Sequence, residues 1–401
     1  MIRKGSLILV LAAVLVLCLI LIWIYPPGKA ANPPLKVYVI FQEDEARMLL
    51  EKFKKETGQA YQVIRMSSGE ASYHLLDTDK TGVDVVLGGT ADLHEQLKNN
   101  GKLLRYSPRM SDKIPEAYKD KEGYWTGMYM GALSIGVNER VWKGDPELAS
   151  IPYPKRYEDL LRPELKGKIE IPDPETSGTG YTLLASLAQE RGPEKAVELM
   201  HALKQQSSTT TFSGITSAQR LAVGDVAAVV CFLGDQLRFA NSGYAIHSSI
   251  PPKAGWEIGG VSILKNGDNR KAAKKLIDFV LSKNAQTAYM NAAFSLPVIP
   301  GIEPNPLLAD VHIDKLLTSY RADEAAAARA ELMKRWREMQ ASDKKQADVL
   351  PSTVLVDKTK AAQRGAAFVC PASIRSGIFH ETQFGKKPCT QKGDLPSYQT
   401  V

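Results

Sequence analysis

Short apolar runs closed by glycine or proline alternate along this chain with segments whose apolar residues recur every three or four positions. That rhythm restricts the fold to strands and helices in alternation, packed as sheets covered by helices. Residues 37–41 read as a buried strand. A helix over 44–57 follows, with Ala46, Leu49, Leu50 and Phe53 on one face and Gly58 as its stop. A strand at 61–64, a polar loop at 67–70 and a strand at 83–87 closed by Gly88, Gly89 and Thr90 come next, then a helix from about residue 92. Residues 133–138 read as a strand leaving this first lobe. The pattern resumes with a strand at 169–171, helices after Thr179 and over 194–204, a short helix near 215–221 and a strand at 226–231. A strand at 259–264 returns to the first lobe, and a helix over 322–339 closes the globular part. The expected fold class is α/β and bilobal: lobe 1 over 34–135, lobe 2 over 136–256, the return to lobe 1 over 257–300 and C-terminal helices over 301–340. Beyond residue 341, isolated apolar residues and scattered prolines predict a disordered tail through 401.

Residues 1–33 are expected to be a signal anchor or signal peptide with a spacer. Arg3 and Lys4 precede an unbroken apolar run over 7–25, which as a helix spans about 28 Å, close to the hydrocarbon thickness of a bilayer. The basic residues before the run keep the N-terminus in the cytoplasm and place the rest outside. A retained anchor and a leader cleaved near residues 28–30 are both compatible with this pattern. The formal net charge of +7 comes from dispersed residues without a Lys/Arg run, so nucleic acid is not an expected partner. No two of the four cysteines have CxxC spacing, and Cys231, at the end of an apolar run, reads as a buried free thiol.

The segment 172–181, Pro-Asp-Pro-Glu-Thr-Ser-Gly-Thr-Gly-Tyr, carries the most chemistry. It ends a strand with prolines and opens a helix with hydroxyls and glycines. The first turn of a helix has unpaired N–H groups and a partial positive charge, which suit an anion, and glycine lets a ligand approach the backbone. Thr176, Ser177, Gly178 and Thr179 are therefore candidate ligand residues, with a plain helix cap as the other reading. Ser67, Ser68, Gly69 and Glu70, then Gly89 and Thr90, occupy comparable positions after strands, and Ser213 is a further candidate anion contact. In open α/β sheets ligands collect at such strand ends. Asp235 is the candidate for the far end of the ligand, accepting from hydroxyls or an amine, unless it caps its helix. Trp125 and Tyr129 offer aromatic faces or core packing.

Enzyme signatures are short and out of order. Lys80-Thr-Gly82 precedes Ser342-Asp-Lys-Lys345, and there is no HExxH, Walker A or G-x-S-x-G element. The chain instead resembles the extracellular solute-binding proteins of ABC importers, in the branch for ferric ion, sugar phosphates and phosphonates. The resemblance lies in the stretches 84–92, 131–138, 165–181, 257–265 and 272–286, in family order. It implies a type II periplasmic-binding fold, crossing strands near 134–138 and 259–264 as the hinge, and closure on one solute without bond breaking. It also implies a small anionic solute (sugar phosphate, phosphoglycerate or phosphonate) and an ABC permease as partners, a monomeric state and no cofactor. Two alternatives stay open: a ferric-ion binder, although the adjacent tyrosines that such members use are missing, and a receptor domain feeding a sensor kinase.

Overall fold

The computed structural model describes residues 33–349 except 79–80, 310 and 312–319. The apolar run at 7–25, the segment after 349, and Cys18, Cys370 and Cys389 lie outside the described residues. Among the described residues no helix is long and apolar enough to cross a membrane.

The strands are β1 (Leu35–Ile40), β2 (Tyr61–Arg65), β3 (Val85–Thr90), β4 (Leu103–Leu104), β5 (Trp125–Asn138), β6 (Ile169–Pro172), β7 (Ser207–Thr211), β8 (Ala228–Phe232), β9 (Ile246–Ser249), β10 (Trp256–Leu264) and β11 (Leu296–Pro297). The α-helices are α1 (Glu43–Thr57), α2 (Ser68–Asp77), α3 (Ala91–Asn99), α4 (Glu139–Gly144), α5 (Pro146–Ala149), α6 (Gly178–Arg191), α7 (Pro193–Gln206), α8 (Gly214–Val223), α9 (Leu233–Asn241), α10 (Arg270–Val280), α11 (Lys283–Ala293) and α12 (Ala322–Val349). The strands follow the order β2-β1-β3-β10-β5-β8-β6-β7, with β4, β9 and β11 at the side. β1 runs parallel to β2 and β3, and β6 runs parallel to β7 and β8, whereas β5 and β10 are antiparallel to their neighbours. This gives two parallel cores, lobes 1 and 2, joined through an antiparallel pair.

β5 is the joint. Its first half, Trp125 to Ala132, pairs with β10, and its second half, Leu133 to Asn138, pairs with β8 and β9. Leu133 N–H also donates to Gly255 O at 2.8 Å. The chain therefore crosses at 132–133 and at 254–256. The stretch 259–264 lies inside lobe 1, paired with β3, rather than at the crossing. Three further expectations are corrected. Residues 67–70 are the start of α2 and not a loop, because Ser67 and Glu70 form a reciprocal capping box. Gly88, Gly89 and Thr90 continue β3 rather than close it, the two glycines at φ of 81° and 86°, a backbone open to glycine at little cost. The last helix runs to Val349, ten residues past the expected end at 339, into the segment expected to be disordered.

Burial follows the apolar periodicity. Ala46, Leu49, Leu50 and Phe53 of α1 are fully buried, and Gly58 ends the helix in the left-handed region. Cys231 is a buried free thiol, pushed above its ordinary range by burial. α12 packs on lobe 2 through the fully buried Trp336, with Lys204 Nζ 5.3 Å from its ring centre. It also reaches lobe 1: Arg329 lies 3.2 Å from the buried Asp92 of α3 and 4.0 Å above the Tyr181 ring.

Candidate functional site

A parallel strand followed by a helix places that helix's N-terminus at the carboxyl end of the strand. The turns of β2-α2, β3-α3, β6-α6, β7-α8 and β8-α9, with Gln42 and Glu45 of β1-α1, line one cavity of about 90 Å³ between the lobes. Ser67, Ser177 and Ser213 occupy the N-cap positions of α2, α6 and α8. Their hydroxyl oxygens accept from the N–H groups of Glu70 at 3.2 Å, Gly180 at 3.2 Å and Thr216 at 3.3 Å. Each cap satisfies one N–H and leaves others of the first turn to a ligand. Thr90 precedes α3 without capping it, and among the described residues its buried hydroxyl has no hydrogen-bond partner of good geometry. The partial positive charges at the starts of α2, α3, α6 and α8 suit an anion with several acceptor oxygens, whereas α9 carries the Asp235 carboxyl in its first turn.

The lobes touch around this cradle. Gly69 N–H in α2 donates to Thr176 O across the cleft at 3.2 Å. A Cβ on Gly178 would stand 2.5 Å from Ser68 Oγ and 3.1 Å from Thr90 Cγ2. Of the residues expected to bind a ligand, Ser67, Ser68, Gly89, Thr90, Ser177, Gly178, Thr179, Ser213 and Asp235 line the cavity. Gly69 and Thr176 do not, and form the interlobe contact instead. Glu70 is a correction: its carboxylate accepts from Ser67 N–H at 2.7 Å, so helix capping occupies the group expected to meet a ligand.

The opposite wall is acidic and aromatic. Glu45, Asp235 and Glu257 line it together with Phe41, Tyr129 and Tyr289. Arg238 of α9 reaches across the cleft to Glu45 Oε1 at 2.5 Å and also contacts Asp44. Burial pushes the Glu45 carboxyl up to about 8, even though Arg238 pulls it down, and pushes Asp235 up to about 6. Glu257 rises well above the ordinary carboxylate range, from burial first and then from Asp235 and Asp92. The Tyr129 and Tyr289 rings lie 5.5 Å apart, and burial holds both phenols protonated well above their usual range. Trp125 does not line the cavity; its indole N–H donates to Glu95 at 2.8 Å.

Sequence reasoning missed Glu45, Arg238 and Glu257. The first looks like an acidic first-turn residue serving its helix dipole, and the second like an ordinary surface cation. Only Glu257 carried a signal, being the one charge in the apolar run of β10. Among the described residues no three His, Cys, Asp or Glu side chains are grouped to hold a metal ion.

The profile of the bacterial extracellular solute-binding proteins matches residues 80–327. An uncharacterized protein of Haemophilus influenzae is 33% identical over 304 residues, covering 72% of this chain and 86% of that protein. Iron uptake protein A2 of Synechocystis is 26% identical over 227 residues, covering 51% of this chain and 61% of that protein. Among solved structures, the periplasmic binding protein AfuA of Actinobacillus pleuropneumoniae, with fructose-6-phosphate bound, superposes with a TM-score of 0.72. It is 29% identical, and the match covers 76% of this chain and 98% of AfuA. Proteins of this group capture small solutes outside the cytoplasm for ABC permeases and are not enzymes. With an interlobe cleft, two crossing strands and a profile match over most of both lobes, this chain belongs to the bacterial extracellular solute-binding protein family.

Proposed function

We propose that the protein captures a small phosphorylated or phosphonate solute, holding its anionic group in the cradle of helix N-termini, and delivers it to an ABC permease. The observation that carries this reading is the meeting of four helix starts, those of α2, α3, α6 and α8, three of them serine-capped, at one interlobe cavity. Phosphoryl oxygens accept several hydrogen bonds at once, and neutral N–H and O–H donors suffice for them at a helix start. The likeness to a protein with fructose-6-phosphate bound supports the same class. Ferric ion fits less well: among the described residues no three His, Cys, Asp or Glu side chains are grouped to hold a metal ion. In this reading the run at 7–25 tethers the protein to the outer face of the membrane, with 34–135 and 257–300 moving as one lobe and 136–256 as the other.

Thermal unfolding of the full chain tests the reading. Fructose 6-phosphate, 3-phosphoglycerate, aminoethylphosphonate and ferric ion are compared at equal excess. A ligand at 100 times its Kd adds about 2.7 kcal/mol, which moves the midpoint by several degrees. A shift with a phosphorylated or phosphonate compound is expected; a shift with ferric ion alone overturns the assignment.

A further inference from the structure

The acidic wall carries more carboxyl groups than a phosphate ester with a neutral body requires. Glu257 opens β10 opposite Gly131 and is only 7% exposed. Its carboxylate faces the cavity without a hydrogen bond or ion pair to any described residue. A buried carboxyl without a donor is costly, and one kept at a ligand cavity points to a donor that arrives with the ligand. Asp235 lies close enough to Glu257 to disfavour its ionised form, so the two compete for positive charge. Glu45 is already paired with Arg238. The described cation on the cavity lining is Arg65, exposed at the end of β2, and both it and Arg238 draw on Asp235. No described cation draws on Glu257 from within the cavity.

We propose that Glu257 and Asp235 together receive a protonated amino group of the solute, so that the preferred ligand is a phosphate monoester bearing an amine. The inference rests on the phosphate reading above and narrows it. A polyol phosphate offers only neutral hydroxyl donors and leaves two carboxyls to share the cost of burial. An ammonium brings three donors and the missing unit charge, and charge-assisted hydrogen bonds are about twice as strong as neutral ones. The solute then lies across the cavity with its anion on the helix N-termini and its cation on the opposite wall. Both ends are met only when the lobes close, since Glu257 comes from β10 of lobe 1 and Asp235 from α9 of lobe 2.

Calorimetric titration of the full chain with glucosamine 6-phosphate and glucose 6-phosphate tests this, because the two differ by one amino group for one hydroxyl. The amine is expected to bind about tenfold more tightly or better. E257Q is expected to weaken the amine ligand and leave glucose 6-phosphate within about threefold, erasing most of the preference; D235N is expected to act in the same direction. Equal or tighter binding of glucose 6-phosphate to the wild-type protein overturns the amine, while leaving the phosphate reading intact. Equal weakening of both ligands by E257Q removes Glu257 from the amine site. Failure of both esters, with binding of free glucosamine alone, overturns the phosphate reading and this inference with it.

Discussion

Substituting Gly69 by alanine isolates lobe closure from folding. The new Cβ would stand 2.4 Å from the Thr176 carbonyl oxygen and 2.7 Å from its carbonyl carbon and Cα, all of them backbone atoms. Carbon contacts are comfortable near 3.5 Å, so the lobes must part by about 1 Å at this point. Backbone cannot yield as a side chain tip can. Overpacking of this kind costs about 1–3 kcal/mol, and the Gly69 N–H to Thr176 O bond contributes about 1 kcal/mol more. Together the closed form loses about 2–4 kcal/mol, which weakens ligand binding roughly 30- to 1,000-fold. The unliganded lobes do not suffer, because Gly69 sits in the first turn of α2, where alanine is the better helix former by up to about 1 kcal/mol. Titration calorimetry with fructose 6-phosphate, paired with unfolding of the unliganded protein, reads both effects. Gly144→Ala serves as control, since nothing lies within 4 Å of its added Cβ. An affinity for G69A within about threefold of wild type, or an equal loss of unliganded stability, would refute the closure argument.

Further expectations concern the buried charges. Arg329→Ala strands Asp92, which is 1% exposed, and should lower the unfolding free energy by about 3 kcal/mol in urea titration; R329A/D92N should regain most of it. His94 is fully buried between Ser262 Oγ at 2.9 Å and Gly88 O at 3.0 Å, and burial lowers it to about 4. A histidine depressed in the folded state contributes stability above pH 6.5 that is lost as pH falls toward 4, here about 3 kcal/mol. The stability gap between wild type and H94Q should therefore narrow across that window, and a constant gap would count against it. Asp235 is raised to about 6, so its effect has the opposite sign: stability is present below its ordinary pKa and lost as pH rises through 6. D235N should then stabilise the unliganded protein at pH 7.5 by about 1–3 kcal/mol and not at pH 4, while weakening solute binding about tenfold; stabilisation equal at both pH values would refute the assignment.

How far the sequence could be read depended on the range of the interactions involved. β1 and α1 were legible because alternation and 3.6-residue periodicity are local signals. Only residues 133–138 of β5 are legible as a strand, because Gly127 and Gly131 break its apolar run. Gly127 is there because a Cβ would meet the Tyr118 carbonyl oxygen at 2.5 Å, a contact set by tertiary packing. The Ser67-x-x-Glu70 box is in plain view, yet Ser-Ser-Gly is equally loop chemistry, and the same residues suit the polar loop expected at 67–70. The last ten residues of α12 lack apolar periodicity, so nothing in the pattern distinguished them from tail. At the site, the hydroxyls at helix starts were legible because strand-to-helix turns put them there. The Glu45–Arg238 pair joins residues 193 apart in sequence, and no local pattern reports such a meeting.

Two ion pairs bridge separate flanks of the cleft, Arg238 to Glu45 with Asp44, and Arg329 to Asp92. Escape of a trapped solute has to break both, whereas capture by the open lobes meets neither. The clasps therefore act on residence time more than on the encounter rate, and affinity is set chiefly through slow dissociation. R238A should raise the off-rate in stopped-flow chase experiments and leave the on-rate nearly unchanged. Unaided release at the membrane would be slow for the same reason. A permease that offers its own carboxylate to Arg238 would loosen the cleft at the flank where Asp44 is already 65% exposed to solvent, and so time the handover.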